Sequence, residues 1–175
     1  MALRVLWICP PVKYYLVYAD NMTGHKVAVL GIGNPLCRDD GVGIRVIELM
    51  QSSGKYTGVD IIDGGTAPDL FSLLDESVEN LIIIDALRAH GGAGQIYRLE
   101  IDEVNIADES PASLHGLGVL DSLKMMVRLG IRLPQVTIIG VEPFDVSHGF
   151  KLSRQMEALV PNIIIAVERE IGKTH

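Results

Sequence analysis

Several features that would point to other classes of protein are missing from this chain. Basic residues are outnumbered, with 15 Lys and Arg against 22 Asp and Glu, so the formal net charge is -7 and no basic face is expected for a nucleic acid. Only two cysteines occur, and they do not form a CxxC pair, which argues against a disulfide framework or a structural zinc site. These absences favour a cytoplasmic protein with reduced thiols that does not bind nucleic acids.

A long apolar run is also missing. The apolar stretch at residues 1–7 is broken by Cys9-Pro10-Pro11, well short of the roughly 20 residues that span a bilayer. It also lacks the apolar region and small-residue cleavage site of a signal peptide. We therefore predict that residues 1–24 are a poorly ordered extension, or reflect translation begun upstream of Met22. Residues 25–175 are expected to form a single α/β domain, monomeric and without membrane insertion.

The standard motifs of hydrolases are absent as well. The sequence contains no Gly-x-Ser-x-Gly turn and no His-Glu-x-x-His helix. Cys37 lies in a glycine-rich loop and could act as a nucleophile with a histidine, but no elbow of small residues surrounds it. The usual serine, cysteine and zinc hydrolase chemistries are therefore not favoured.

Predicted strands and helices alternate along the chain. Short runs that are apolar on both faces, typical of buried parallel strands, occur at residues 26–31, 59–62, 81–84 and 136–141. Residues 95–101 alternate instead, as an exposed edge strand does. Between them the spacing predicts helices, the last with Ser153 as its cap and a kink or restart at Pro161. This pattern predicts an α/β fold with a twisted, mostly parallel sheet of about five strands, helices on both faces and one antiparallel edge strand.

Ionisable side chains follow the ends of these predicted parallel strands. Asp40, Asp63 and Asp85 come after the first, second and third strands, and His115 opens a later helix. Functional groups of open α/β sheets collect beyond the carboxyl ends of the strands. Two carboxylates and one imidazole gathered there would form a partly open site for a divalent metal ion. We take Asp40, Asp85 and His115 as the candidate ligands.

The glycine-rich loop at residues 31–43 has other interpretations. A dinucleotide-binding turn would need a third glycine where Leu36 stands, and Pro35 removes a backbone donor. The neighbouring Asp39 and Asp40 would also repel a pyrophosphate. One aspartate suffices to cap the following helix, so we assign Asp39 to the cap and Asp40 to function.

The other two candidates also have structural alternatives. Asp85 ends an apolar strand, where its partly desolvated charge needs compensation from a cation or from backbone donors. His115 is the least specific of the three, and His90 and His148, on glycine-bearing loops, are rivals for its role. His25 and His175, near the ends of the chain, are expected to face solvent.

Taken in order, these segments resemble the nickel–iron hydrogenase maturation endopeptidases. The resemblance runs from about Lys26 to Glu170 and rests on five pieces: Gly31-Ile32-Gly33-Asn34-Pro35-Leu36 with Asp39-Asp40-Gly41-Val42-Gly43, Asp63-Gly64-Gly65-Thr66, Ile82-Ile83-Ile84-Asp85-Ala86, the helix start at His115, and Ile139-Gly140-Val141-Glu142-Pro143. Any one piece is weak, but their order and spacing are specific.

The resemblance implies a function. Members of the family remove a C-terminal peptide from the precursor of the hydrogenase large subunit after nickel insertion. It implies that Asp40, Asp85 and His115 contact Ni2+ carried by the substrate, for which another divalent ion can substitute, and that they form the catalytic site of a protease with aspartate ligands. The group that activates water stays open, as does the hydrogenase that is served.

Two rival functions remain open at this point. A nickel-binding accessory protein would pass the metal to a hydrogenase and cut nothing. A self-sufficient metallo-aminopeptidase would hydrolyse short peptides with added metal, although no second cluster of metal ligands is evident.

Overall fold

The apolar runs of the sequence form strands in the computed structural model, which describes residues 26–66, 70–89, 91–101 and 117–174. The elements in chain order are β1 (Val27–Gly31), a 3-10 turn (Arg38–Gly41), α1 (Val42–Ser53), β2 (Asp60–Asp63), α2 (Leu70–Leu73), β3 (Asn80–Ala86), β4 (Ile96–Ile101), α3 (Leu117–Arg128), β5 (Gln135–Val141) and α4 (Arg154–Lys173).

The five strands form one sheet in the order β2-β1-β3-β5-β4. β1 pairs in parallel with β2 and β3, and β3 pairs in parallel with β5. β4 lies antiparallel at the edge, with Ile96 opposite Val141 and Ile101 opposite Val136. The predicted fold class, including its antiparallel edge strand, is confirmed. The carboxyl ends of four strands consequently meet at one edge of the sheet.

Alternate residues of the central strands enter two separate cores. Val27 and Val29 of β1 pack with α1 and α4 on one face, and Ala28 and Leu30 pack with α3 on the other. The strands read as continuous apolar runs because both faces are covered. Within the described ranges, no helix combines the length and the apolarity needed to span a lipid bilayer.

The beginning of α1 lies directly on the ends of β1 and β3. A Cβ atom on Gly43 would overlap the carbonyl oxygens of Ile32 and Ile84, so only glycine permits this approach. The helix then buries Val46, Ile47 and Met50 against the sheet, as its spacing predicted. This contact holds the preceding loop over the carboxyl edge.

The last helix begins as predicted and contains Pro161 in its interior. Ser153 caps α4, accepting a hydrogen bond of 3.1 Å from the Met156 amide to its Oγ. The helix runs through Pro161 to Lys173 without interruption, so of the two predicted alternatives the restart is wrong, and the kink stays a prediction. Val160 and Ile163, on either side of the proline, are buried in the core, and this packing keeps the helix in place despite the missing donor.

Some predictions fall outside the described residues. The extension at residues 1–24, His90 and the predicted site histidine His115 all lie there. The boundary of the domain at residue 25 and its monomeric state stay predictions.

Candidate active site

The loop between β1 and α1 uses its own amides to hold its shape. The Ile32 amide donates to Ile84, and the Gly33 amide donates to Gly65, both at 2.9 Å. The Asn34 amide donates to Asp40 Oδ2 at 3.0 Å. Gly33 has a φ of 139°, and a Cβ atom there would overlap the carbonyl oxygen of Asp40. Because these amides already have acceptors within the protein, they are not free to bind a phosphate. The loop is therefore not a dinucleotide-binding turn, as the sequence indicated.

Asp39 does not cap α1. The N-cap position of that helix is Gly41, without a side-chain cap, so the capping assignment is wrong. The Asp39 carboxylate is fully buried and accepts four hydrogen bonds. The donors are the amides of Phe144 (3.0 Å), Asp145 (3.0 Å) and Ser153 (2.6 Å), and the hydroxyl of Ser153 (2.9 Å). It fastens the first loop to the segment that joins β5 to α4.

Asp40 points instead toward an open space. Asp40 is half-buried. It lines a cavity of about 200 Å³ together with Cys37, Ala86, Arg88 and other side chains. The turn of Arg38–Gly41 packs against β3. The first loop and the end of β3 therefore enclose this cavity at the carboxyl edge of the sheet.

Asp85 lies at the same edge, one residue before β3 ends. Its exposed fraction is only 6%. Burial, and then the negative charge of Asp40, raise the pKa of Asp85 to about 7, while a hydrogen bond from the Ala86 amide opposes the shift. The two carboxylates are thus near enough to repel one another, as predicted from the topology. A cation between them would relieve that repulsion.

The third predicted ligand cannot be placed directly. His115 lies outside the described residues, two positions before α3. β4 ends opposite the beginning of β5, and α3 must deliver the chain to that same amino edge. A helix that lies along the sheet and ends at the amino edge begins near the carboxyl edge. The described start of α3, Leu117, therefore lies toward the carboxyl edge, and the role of His115 stays a prediction.

The described residues do not complete a metal site by themselves. Among them, no three His, Cys, Asp or Glu side chains form a group able to hold a metal ion. His148, one of the rivals, is exposed and is not part of such a group. Asp63 is exposed at the end of β2 and accepts a hydrogen bond of 2.9 Å from Gly65 within its own turn. Within the described residues, Asp40 and Asp85 are therefore a pair of carboxylates and not a complete metal site.

Sequence reasoning missed other side chains at this edge. Glu142 Oε2 accepts hydrogen bonds from the Ala89 amide at 2.8 Å and the Tyr97 hydroxyl at 3.4 Å, which ties the loop after β3 to the exit of β5. Arg88 places a cation beside the cavity that contains Asp40. A basic residue three positions after Asp85 was the available signal, but an isolated arginine rarely identifies a site. Cys37, considered earlier as a nucleophile, also lines this cavity and forms an isolated β-bridge with Gly149, the residue after His148.

This arrangement suits a hydrolytic site that receives a cation. Carboxylate oxygens accept divalent metal ions, and a site with few protein ligands leaves positions open for substrate atoms or water. A carboxyl group with a pKa near 7 can also exchange a proton at neutral pH.

Known proteins resemble this chain in sequence and in fold. The family model HycI, described as hydrogenase maturation protease, matches residues 44–170. The hydrogenase 2 maturation protease of Escherichia coli K12 is 31% identical over 154 residues, which cover 84% of this chain and 93% of that protein.

Two solved structures share the fold. The hydrogenase maturating endopeptidase HybD from E. coli has a TM-score of 0.71 and 26% identity, covering 85% of this chain and 93% of its own. The hydrogenase 2 maturation peptidase from Thaumarchaeota archaeon SCGC_AB-539-E09 has a TM-score of 0.65 and 29% identity, covering 84% and 98%. Together with the family model that spans most of the domain, these matches show that the chain belongs to the hydrogenase maturation protease family.

Proposed function

We propose that this protein is an endopeptidase that removes the C-terminal peptide from the nickel-loaded precursor of a nickel–iron hydrogenase large subunit. Membership of the hydrogenase maturation protease family supports the peptidase activity. The observation that carries the proposal for the site is the coupled pair of carboxylates, Asp40 and Asp85, at one edge of the sheet.

In this proposal the nickel ion arrives as part of the substrate. Asp40, Asp85 and His115 contact it, and the remaining coordination positions stay with groups of the precursor. Two carboxylates and one imidazole hold a divalent ion less completely than a closed four-ligand site does. Such a set of ligands recognises an ion that another protein already holds. Cleavage therefore occurs only after the metal centre of the precursor is complete.

The electrostatics of the pair are consistent with this role. Without a cation, burial and the nearby negative charge of Asp40 raise the pKa of Asp85 to about 7. A divalent ion favours the ionised carboxylate and releases the proton. Two adjacent carboxylates can then hold the ion and accept a proton from the attacking water, while the ion polarises the scissile carbonyl.

The proposal is tested by incubating the protein with nickel-loaded precursor and measuring the mass of the large subunit. Asp40→Ala, Asp85→Ala and His115→Ala are each expected to slow cleavage by roughly 100-fold or more, with unchanged circular dichroism. Asp63→Ala and His148→Ala are matched controls that should cleave at the rate of the unmodified protein, since Asp63 serves its own turn and His148 is exposed.

The same assay with nickel-free precursor tests the recognition of nickel. We expect little or no cleavage of that precursor. Equal processing of both precursors contradicts nickel recognition, and full activity of the three site variants contradicts the site. A protein that retains nickel through gel filtration but leaves the precursor intact is an accessory nickel-transfer protein instead.

A further inference from the structure

A second concave surface adjoins the candidate active site. It is a groove of about 670 Å³ between residues 35–48, at the first loop and α1, and residues 150–158, at the beginning of α4. We call it the α1–α4 groove. Its volume lies within the usual range of ligand clefts. Arg38 and Gly41, which flank Asp39 and Asp40 in the 3-10 turn, form part of its wall.

The groove combines an exposed aromatic side chain with a basic lining. Phe150 is 85% exposed, although burying such a ring is strongly favourable. Four basic and two acidic side chains line the groove, whereas the whole chain has a formal net charge of -7. Its charge is therefore opposite in sign to that of the rest of the molecule.

Only some of these charges are compensated within the described part of the chain. Arg45 lies 3.0 Å from Glu157 and 3.3 Å from Glu48, so it pairs with both acidic side chains of the groove. Arg38 Nε lies 3.2 Å from Asp145 Oδ2. Lys151 and Arg154 are exposed, and no described carboxylate lies within ion-pairing distance of either. They remain available to a negatively charged partner.

We infer that the α1–α4 groove binds an extended segment of the client precursor that carries an apolar side chain and acidic residues. Phe150 contacts the apolar side chain, and Lys151 and Arg154 pair with the carboxylates. Exposed aromatic residues and arginines are the side chains that contribute most at protein interfaces. This inference rests on the proposed function, because it adds a docking surface to the same cleavage site.

The position of the groove favours a segment of the client precursor over a second copy of this chain. The loop that forms one wall also contains Cys37 and Asp40, which line the cavity at the sheet edge. A polypeptide bound in the groove can therefore continue along that loop to the carboxylates. The buried Asp39 fixes the two walls to each other through Ser153, so the docking surface and the site keep a constant separation.

Cleavage kinetics with the nickel-loaded precursor test the inference. The variants are Phe150→Ser and the double change Lys151→Glu/Arg154→Glu. We expect KM to rise about tenfold or more while kcat stays within about twofold, because these side chains bind the substrate but do not touch the reacting atoms. The effect of the two cations should weaken at high salt.

Matched controls lie at the opposite, amino edge of the sheet. Leu129→Ser changes a side chain that is 62% exposed, and Lys55→Glu/Arg132→Glu makes the same change of charge as the groove double variant. Both controls should keep the KM of the unmodified protein. Equal values of KM for groove and control variants overturn the inference.

A binding measurement separates this inference from the proposed function. Calorimetric titration with nickel-free precursor should show about tenfold weaker binding for the groove variants than for the controls. If the unmodified protein binds through the groove but does not cleave nickel-loaded precursor, the docking surface stands and the protease proposal fails. If cleavage occurs and binding is unchanged in the groove variants, only the docking surface fails. Dissociation of a dimer by Phe150→Ser, measured by sedimentation with unchanged KM, assigns the groove to a second copy and overturns the inference.

Discussion

Asp39 and Asp40 are adjacent in the chain, yet their carboxylates have different surroundings. Asp39 is fully buried and accepts hydrogen bonds from residues 105 to 114 positions away. Asp40 accepts one bond from Asn34 and lines the cavity. The 3-10 turn separates the two side chains by rotating successive residues to different directions. The first aspartate supports the fold, and the second is available for chemistry.

Replacing each aspartate by alanine should separate these roles. Asp39→Ala leaves three backbone amides and a hydroxyl without their acceptor, and should lower the free energy of unfolding by about 3 kcal/mol or more. Asp40→Ala removes one accepted hydrogen bond, and should lower the free energy of unfolding by only about 1 kcal/mol while slowing cleavage by roughly 100-fold or more. Urea denaturation and the precursor assay measure the two effects. Equal losses of stability in both variants would contradict the assignment.

At the scale of elements, α1 determines where the first loop lies. Its first turn rests on the ends of β1 and β3, and Gly43 is the point of closest approach. Glycine normally weakens a helix by about 1 kcal/mol relative to alanine. Here Gly43 permits backbone contact between α1 and the sheet. That contact determines the position of the preceding loop, and so of Asp40, relative to the edge of the sheet.

Two glycine substitutions in helices should therefore have opposite effects. Gly43→Ala forces a Cβ atom against the carbonyl oxygens of Ile32 and Ile84, and should lower the free energy of unfolding by at least about 2 kcal/mol. It should also slow cleavage by moving the loop. Gly172→Ala, near the end of α4, meets no atom within 4 Å and should be neutral or stabilising by up to about 0.5 kcal/mol. Thermal unfolding of both variants is the measurement. A stable Gly43→Ala protein would refute the packing argument.

At the scale of the whole molecule, burial of Asp85 links stability to pH. Because folding raises the pKa of this carboxyl from 3.8 to about 7, the folded state binds its proton more tightly than the unfolded chain does. The resulting stabilisation is complete below pH 3.8 and is lost as pH rises through 7. The full change corresponds to roughly 4 kcal/mol.

Asp85→Asn should remove this dependence in the metal-free protein. The free energy of unfolding of the unmodified protein should fall, relative to that of the variant, by up to about 4 kcal/mol between pH 4 and pH 8. Guanidinium titrations at several pH values in the presence of a chelator provide the test. Asp40→Asn should reduce the difference, since the charge of Asp40 contributes to the raised pKa. Parallel pH profiles of the unmodified protein and Asp85→Asn would show that the raised pKa is wrong.

The sequence predicted the sheet well because buried parallel strands are visible as short runs that are apolar on both faces. It also predicted that Asp40 and Asp85 meet, since strand ends share one edge. It assigned Asp39 a structural role but the wrong one, a helix cap, because the partners of Asp39 are distant in sequence and reach it only after folding. Glu142, Arg88 and the α1–α4 groove were missed for the same reason: each depends on how loops from different strands approach one another.

The hydrogen bonds of Asp39 have a consequence for biosynthesis. Its acceptor atoms bind groups from residues 144, 145 and 153, so a nascent chain must extend past residue 153 before the loop of Asp40 is anchored. A ribosome-bound fragment that ends earlier lacks the groups that fix this loop. The loop of Asp40 is thereby anchored only after residues 144–153 have been synthesised.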